Sequence, residues 1–330
     1  MDLEEQTLHL SSKKSNITVL LISLAILIIV LIGSSHSFSH TRVHENIEFY
    51  SVNDGATFNS ILEDLTIGPI QNFLLKVYLK TNSINIVQAG HYSLKNKSWK
   101  DFIFSLTTGD VVVFKIQIPE GKNFFEIQKI LLASNLNHDC DNFNCLNNRF
   151  GFIEGTLKPD TYFYKYALSS TKILQQSQNE FFTLADNLWA KRNTSLPLNN
   201  LSEAIILASI VEKEAGNDKE KPIIAGVFLH RLSIGMKLQA DPTIIFGLMP
   251  EFNGDITKAN IRDKSNLYNT YQIPGLPPSP ISTISQSSLE AVILGMKNNY
   301  LYFVAKGNGT HKFSKTYKEH LEAVKKYQLN

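Results

Sequence analysis

The run "LASIVEKEAG", Leu207 to Gly216, is apolar through Val211 and then sets Glu212, Lys213 and Glu214 side by side before a glycine. Residues three and four apart share a helix face. That spacing stacks Glu212 with Ile205, Ala208 and Ala215, and Glu214 with Leu207 and Ile210, so each carboxylate belongs to an apolar stripe. Burial disfavours the charged form of a carboxyl group, and one that keeps its proton near neutral pH can serve as a general acid. The plainer use of such a glutamate is a pair with a neighbouring lysine on a solvated last turn. Spacing alone does not choose between Glu212 and Glu214.

Two later stretches supply polar partners. "MKLQADPTIIFGL" sets Gln239 and Asp241 in a turn before Pro242, and "NLYNTYQIPGLPPSPI" carries Asn269 and Tyr271 in a segment dense in Tyr, Asn, Gly and Pro. Such side chains suit a sugar, whose rings have apolar faces and whose hydroxyls need donors and acceptors. Ordinary turn chemistry and tyrosines plugging a core would use the same residues. His311, just after a predicted hairpin turn, is a further candidate for the wall of a cleft. None of the nine histidines forms H-E-x-x-H, and no second Cys or His pair stands at ligand spacing, so no metal or other cofactor is expected.

These residues need a scaffold. Strands are predicted over 46–52, 89–94 and 111–121, with helices over 57–67, 69–83, 98–110 and 123–135. Ser98 reads as an N-cap and Pro69 as the first residue of its helix. Further helices are predicted over 171–193, from Ser202 as N-cap to a stop at Gly216, over 218–235 and over 315–327. Residues 300–314 read as a β-hairpin turning at Asn308-Gly309 in a type I′ turn. The whole is α+β. A strand–helix–helix–strand region suits a small carbohydrate-binding module or a scaffold equally.

With 330 residues, 43% of them hydrophobic and 19% charged, the chain can form two or three globular units. A net charge of +2 argues against a nucleic-acid partner. "NITVLLISLAILIIVLIG", Asn16 to Gly33, has no charge and follows Lys13 and Lys14. It reads as a single membrane anchor over 16–35, with residues 1–15 in the cytoplasm and a polar stalk after it. A cleaved signal peptide is the rival, but the apolar run is long for one. Cys140 and Cys145, on the far side of the membrane in this reading, are placed to pair across a short loop.

The blocks "ASIVEKEAG", "VFLHRLSIGMKLQADPTIIFG", "YNTYQIPGLPPSPI" and "YLYFVAKGNGTHKFSKTYKEH" follow in order the signature blocks of the MltG-like (YceG-like) endolytic murein transglycosylases, which the chain resembles from about residue 47 to its end. "GHYSL", "IPEGKN" and "EGTLKPDTYFY" are similar to further blocks of that family. The resemblance implies a single N-terminal transmembrane helix, a LysM-like α+β subdomain over 46–136, a connecting region over 137–199 and a C-terminal α+β catalytic domain over 200–330. It implies an inner-membrane enzyme facing the periplasm that cuts nascent peptidoglycan glycan strands internally, with peptidoglycan synthases as partners by family implication only. It places the catalytic glutamate at the first Glu of "EKE", Glu212, which would protonate the bridging oxygen between N-acetylmuramic acid and N-acetylglucosamine, then take the proton of the muramic acid C6 hydroxyl as a 1,6-anhydro end forms. Gln239, Asp241, Asn269, Tyr271, His311 and Glu214 are then expected around the substrate. A hydrolase with Asp241 as base for water and a non-catalytic peptidoglycan-binding scaffold are the alternatives. Lys158 before "PDTY", Ser279 within "PPSPI", the missing "NPG" after it and the missing Pro near Gly295 depart from the family pattern and bear on the shape of the groove.

Overall fold

A computed structural model describes residues 3–44, 46–65 and 68–328. They form two compact units, 1–114 and 115–330, so the division falls inside the stretch expected to be one subdomain over 46–136. The first unit holds α1 (Leu3–Ser39), β1 (Phe49–Val52), α2 (Phe58–Asp64), α3 (Pro69–Thr81), β2 (Gly90–Ser93) and α4 (Trp99–Thr108). β1 and β2 pair antiparallel, Phe49 opposite Ser93, and Leu75, Tyr92, Leu94, Phe102 and Leu106 lie fully buried beside them. Ser98 caps α4 by accepting from the Asp101 amide, and Gly109, at φ 73°, ends it in the left-handed conformation that glycine adopts without steric cost. The predicted helix over 57–67 ends at Asp64, and its last two residues lie outside the described ones.

From Ile17 to Val30 the large apolar side chains of α1 are exposed on every face, Leu20 by 69% and Ile29 by 68%. A helix that is apolar all round belongs in a core or a bilayer. The stretch Ser15–Ser39 is long and apolar enough to cross a membrane, and its most apolar part is not buried in protein. The polar stalk expected after it is not there. The helix continues to Ser39, Ser35 donates to the Leu74 carbonyl at 2.8 Å, and Val43 is buried with its amide on the Lys97 carbonyl. Small serines let the end of α1 lie close against α3, and this contact replaces a flexible spacer.

β3 (Val113–Ile118) pairs with β4 (Asp160–Lys165), and α5 (Phe124–Leu132) lies between them in sequence. A 3-10 turn over Asp141–Phe143 lies inside the loop closed by the Cys140–Cys145 disulfide, whose Cα atoms are 5.4 Å apart. The remaining elements are α6 (Ser170–Trp189), α7 (Leu201–Glu214), α8 (Lys221–Ser233), α9 (Asp241–Gly247), α10 (Lys258–Arg262), α11 (Gln286–Glu290) continued by a π-helical turn Ala291–Gly295, β5 (Tyr302–Ala305), β6 (His311–Ser314) and α12 (Tyr317–Gln328). Strands occur as three separate pairs among the described residues, consistent with an α+β chain.

α7 is the centre of the second unit. Every residue from Ala204 to Val211 is buried, because each is apolar or small and α8, α11 and the π-turn pack around it. Its N-cap is Asn200, whose side chain accepts from the Glu203 amide at 3.0 Å, rather than Ser202. Asn and Ser serve equally well at that position, so the local residue types do not choose between them. The β5–β6 hairpin also differs from expectation. Ala305 pairs with His311 across a five-residue loop, and positive φ falls on Gly307 and Gly309, which flank Asn308. A type I′ turn needs positive φ at two consecutive residues. The loop instead lies against the end of α7: Asn217 donates to the Gly309 carbonyl at 2.9 Å, and a Cβ on Gly216 would stand 2.6 Å from that same oxygen. Gly216→Ala is therefore expected to push the hairpin off α7 and cost about 1–3 kcal/mol of stability, read as a lowered melting temperature; an unchanged melt would mean the hairpin tip moves freely.

Candidate functional site

Glu212 and Glu214 are two residues apart, so they leave α7 about 200° apart around its axis. Lys213 between them is exposed, and the two carboxylates on either flank of the last turn of α7 enter different environments.

Glu212 enters a closed polar nest. Its Oε2 accepts from the Ser285 amide at 3.1 Å, the Ser285 hydroxyl, the Ser288 hydroxyl at 2.6 Å and Lys221 Nζ at 3.4 Å. The side chains of Glu212 and Lys221 are 8% and 5% exposed. Lys221 also donates to Ser285 at 2.8 Å, Ser287 at 2.9 Å and Asp218 at 2.7 Å. The apolar stripe that helical spacing suggested for Glu212 is thus replaced by donors from the returning segment 281–288. Glu120, of the "IPEGKN" stretch, is raised by burial and then by the charge of Glu212. Its loop is tied down by Thr283, which accepts from the Lys122 amide and donates to the Pro119 carbonyl, and by Lys213, which donates to the Gly121 carbonyl.

Glu214 lies in a cleft of about 450 Å³, within the usual size of ligand pockets, with Arg231, Gln239, Asp241, Tyr271 and His311 on its walls. Burial, and then the charge of Asp241, push its carboxyl up to about 8, against a smaller opposing effect of Arg231. Asp241, the first residue of α9, accepts from the Tyr271 hydroxyl at 2.7 Å, and burial together with that bond raises the tyrosine. Arg231 is buried, its Nε on the Leu301 carbonyl at 2.7 Å and its Nη1 on the Leu238 carbonyl.

The cleft walls are held by backbone pairing. Gln239 donates its amide to Thr270 O at 3.2 Å, Ala240 donates to Thr270 Oγ1 at 2.9 Å, and Thr243 and Thr270 share a bond at 2.9 Å. Gln239 itself sits at φ 51°. A left-handed non-glycine residue costs about 1–3 kcal/mol and is kept where the surroundings over-determine it. His311 is fixed by Glu220, which accepts from its amide at 2.9 Å and holds its Nδ1 at 2.8 Å.

The structure therefore brings Glu214, Gln239, Asp241, Tyr271 and His311 together. It leaves out two expected residues. Glu212 does not line the cleft. Asn269 is fully buried, its side-chain amide donating to the carbonyls of Asn260, Ile261 and Asp263, and its Oδ1 accepts from the Tyr271 amide. It shapes the loop that presents Tyr271, with no surface left for a ligand. Arg231, Glu220 and Lys221 were not singled out by sequence reading. A helix rich in Lys, His and Arg gives no signal of which charges turn inward.

Comparison with known proteins gives the family. The description of the YceG-like family matches residues 50–326, and the chain belongs to that family. It is 34% identical over 179 residues to an endolytic murein transglycosylase of Bacillus subtilis (strain 168), covering 53% of this chain and 48% of that protein. It is 30% identical over 159 residues to an endolytic murein transglycosylase of Streptococcus pneumoniae serotype 2, covering 46% of this chain and 28% of that one. The chain thus spans half or less of the length of these curated relatives. A solved structure of a yceG-like protein from Listeria monocytogenes aligns with 83% of this chain and 97% of its own, with a TM-score of 0.56 and 28% identity.

Proposed function

We propose that this protein is a membrane-anchored endolytic murein transglycosylase that uses Glu214 as its acid and then its base. One observation carries the assignment: a carboxyl group raised to about 8 faces a cleft walled by Asp241, Tyr271, Gln239 and His311. The similarity to the Bacillus and Streptococcus proteins supports the reaction class. In this reading Glu214, protonated at neutral pH, gives its proton to the oxygen between N-acetylmuramic acid and N-acetylglucosamine. Positive charge develops at C1 of the muramic acid. Asp241, steadied by the Tyr271 hydroxyl, stabilises that charge. The Glu214 carboxylate left behind beside Asp241 is a strong base for its kind, and it takes back a proton from the muramic acid C6 hydroxyl as that oxygen attacks C1. A 1,6-anhydro end results. The nucleophile is intramolecular, so no activated water is needed.

The anchor α1 would hold the enzyme at the bacterial inner membrane with Lys13 and Lys14 inside and the rest outside. The Cys140–Cys145 disulfide supports that side, since cytosolic thiols stay reduced. The first unit is proposed as the LysM-like region that meets the glycan, and synthases of peptidoglycan as neighbours.

A hydrolase would use the same pair differently, with Asp241 as base for water, and it would leave reducing ends. Mass spectrometry of digested glycan strands separates the two: anhydro termini support the transglycosylase, and reducing termini alone sink it. The acid role also has a pH signature. The protonated form of Glu214 is lost as pH rises through about 8, so cleavage is expected to fall on the alkaline side around that pH. An activity that stays flat to pH 10 would remove Glu214 as the acid.

A further inference from the structure

The cleft extends beyond Glu214 and Asp241. Its wall continues on β5 and α12 through Tyr302, Tyr317 and His320. The Tyr302 ring is held by the Arg231 guanidinium, 5.6 Å from its centre, and by the His320 ring stacked at 5.2 Å with 22° between planes. Tyr317, the first residue of α12, lies 5.8 Å from Tyr302 and 6.2 Å from His320, and is 59% exposed. Burial lowers His320, and its Nδ1 is buried without a hydrogen-bond partner. Protonating the ring would strand an N–H there, so His320 acts as a neutral aromatic plate.

Most exposed tyrosines at a helix start do nothing. This one is set in the same cleft as the proposed acid and is backed by two fixed rings. A pyranose presents C–H groups on one face, and an aromatic face is electron-rich and attracts them. Gln239 and Asp241 on the same walls offer the sugar hydroxyls donors and acceptors. We infer that Tyr317, backed by Tyr302 and His320, forms a stacking subsite for a sugar ring of the glycan strand, on the β5–α12 wall and apart from the Glu214–Asp241 pair. The inference rests on the glycan-cleaving reading of the cleft.

A subsite away from the cut acts only on strands long enough to reach it. The test compares the full chain in detergent with its Tyr317→Ala and Tyr317→Phe variants. Cleavage and calorimetric binding are both measured on peptide-free peptidoglycan glycan strands of graded length. In Tyr317→Ala, kcat/KM and affinity for long strands are expected to fall about 3–10-fold, narrowing the preference for long over short strands by that factor. Tyr317→Phe should restore both, because the ring stacks and the hydroxyl does not. A protein that cleaves and binds normally with Ala at this position overturns the subsite and leaves the proposed function standing. Weakened binding in Tyr317→Ala with no cleavage by the unmodified protein keeps the subsite and sinks the enzyme. Neither binding nor cleavage by the unmodified protein sinks both.

Discussion

Glu214→Gln is expected to lower glycan cleavage by about 10²–10⁴-fold, the range for losing a general acid–base group, while the protein stays folded. Glutamine keeps the shape and can neither give nor reclaim a proton. The same substitution has a thermodynamic signature. Between the ordinary glutamate value of 4.5 and about 8, the folded chain holds a proton on Glu214 that the unfolded chain has released. Stability therefore falls as pH rises through that window, because the folded state binds more protons. Glu214→Gln has no such proton, so its melting temperature should decline less between pH 5 and pH 9 than that of the unmodified protein. Parallel melting curves would show that Glu214 is not protonated in the folded state, and the acid assignment would go with them. Full cleavage by Glu214→Gln beside an inactive, folded Glu212→Gln would return the role to Glu212.

Glu212→Ala is expected to destabilise by about 1–3 kcal/mol, the usual cost of leaving buried hydrogen-bond donors without their acceptor. Lys221 is 5% exposed, and the loss of Glu212 would leave Asp218 as its carboxylate partner among the described residues. Ser285 and Ser288 would lose the acceptor they share. The second unit is too large to assume two-state unfolding, so the readout is the drop in melting temperature together with proteolysis of the segment 281–288. Any accompanying loss of cleavage should scale with the unfolded fraction and recover at low temperature. An Ala variant as stable as the unmodified protein would mean that the nest contributes nothing and that Glu212 is retained for some other reason. Taken with the glutamine pair above, this separates a glutamate that holds the last turn of α7 in place from the one that this turn presents.

Much of the scaffold is legible in the residues. Ser98, Pro69 and Gly109 punctuate the first unit's helices as their chemistry demands, and the hairpin over 300–314 follows from its alternation. The cap of α7 and the hairpin's turn were misread because Asn200 and Ser202, or Gly307 and Gly309, satisfy the same local rules, and packing chooses between them. The stalk differs from expectation because Ser39, which looks solvent-seeking in sequence, is buried at the end of α1, and Val43 is buried just after it. α9 and α10 went unseen, being only 7 and 5 residues long, below the length at which periodicity speaks.

The sequence by itself determined the apolar helix near the N-terminus, the α+β class, the family blocks, and the fact that two carboxylates end a greasy helix. Only the tertiary structure decided what surrounds each carboxylate. Helical periodicity places Glu212 and Glu214 on opposite flanks of α7, but it carries no information about which distant segment fills each flank. The serines at 285–288 and Lys221 close one flank with donors. Asp241, Tyr271 and the β5–β6 hairpin leave the other as an open cleft, where burial and the charge of Asp241 raise its carboxyl group. Those partners lie from 9 to more than 70 residues away in the chain, so no local pattern could have told the two glutamates apart.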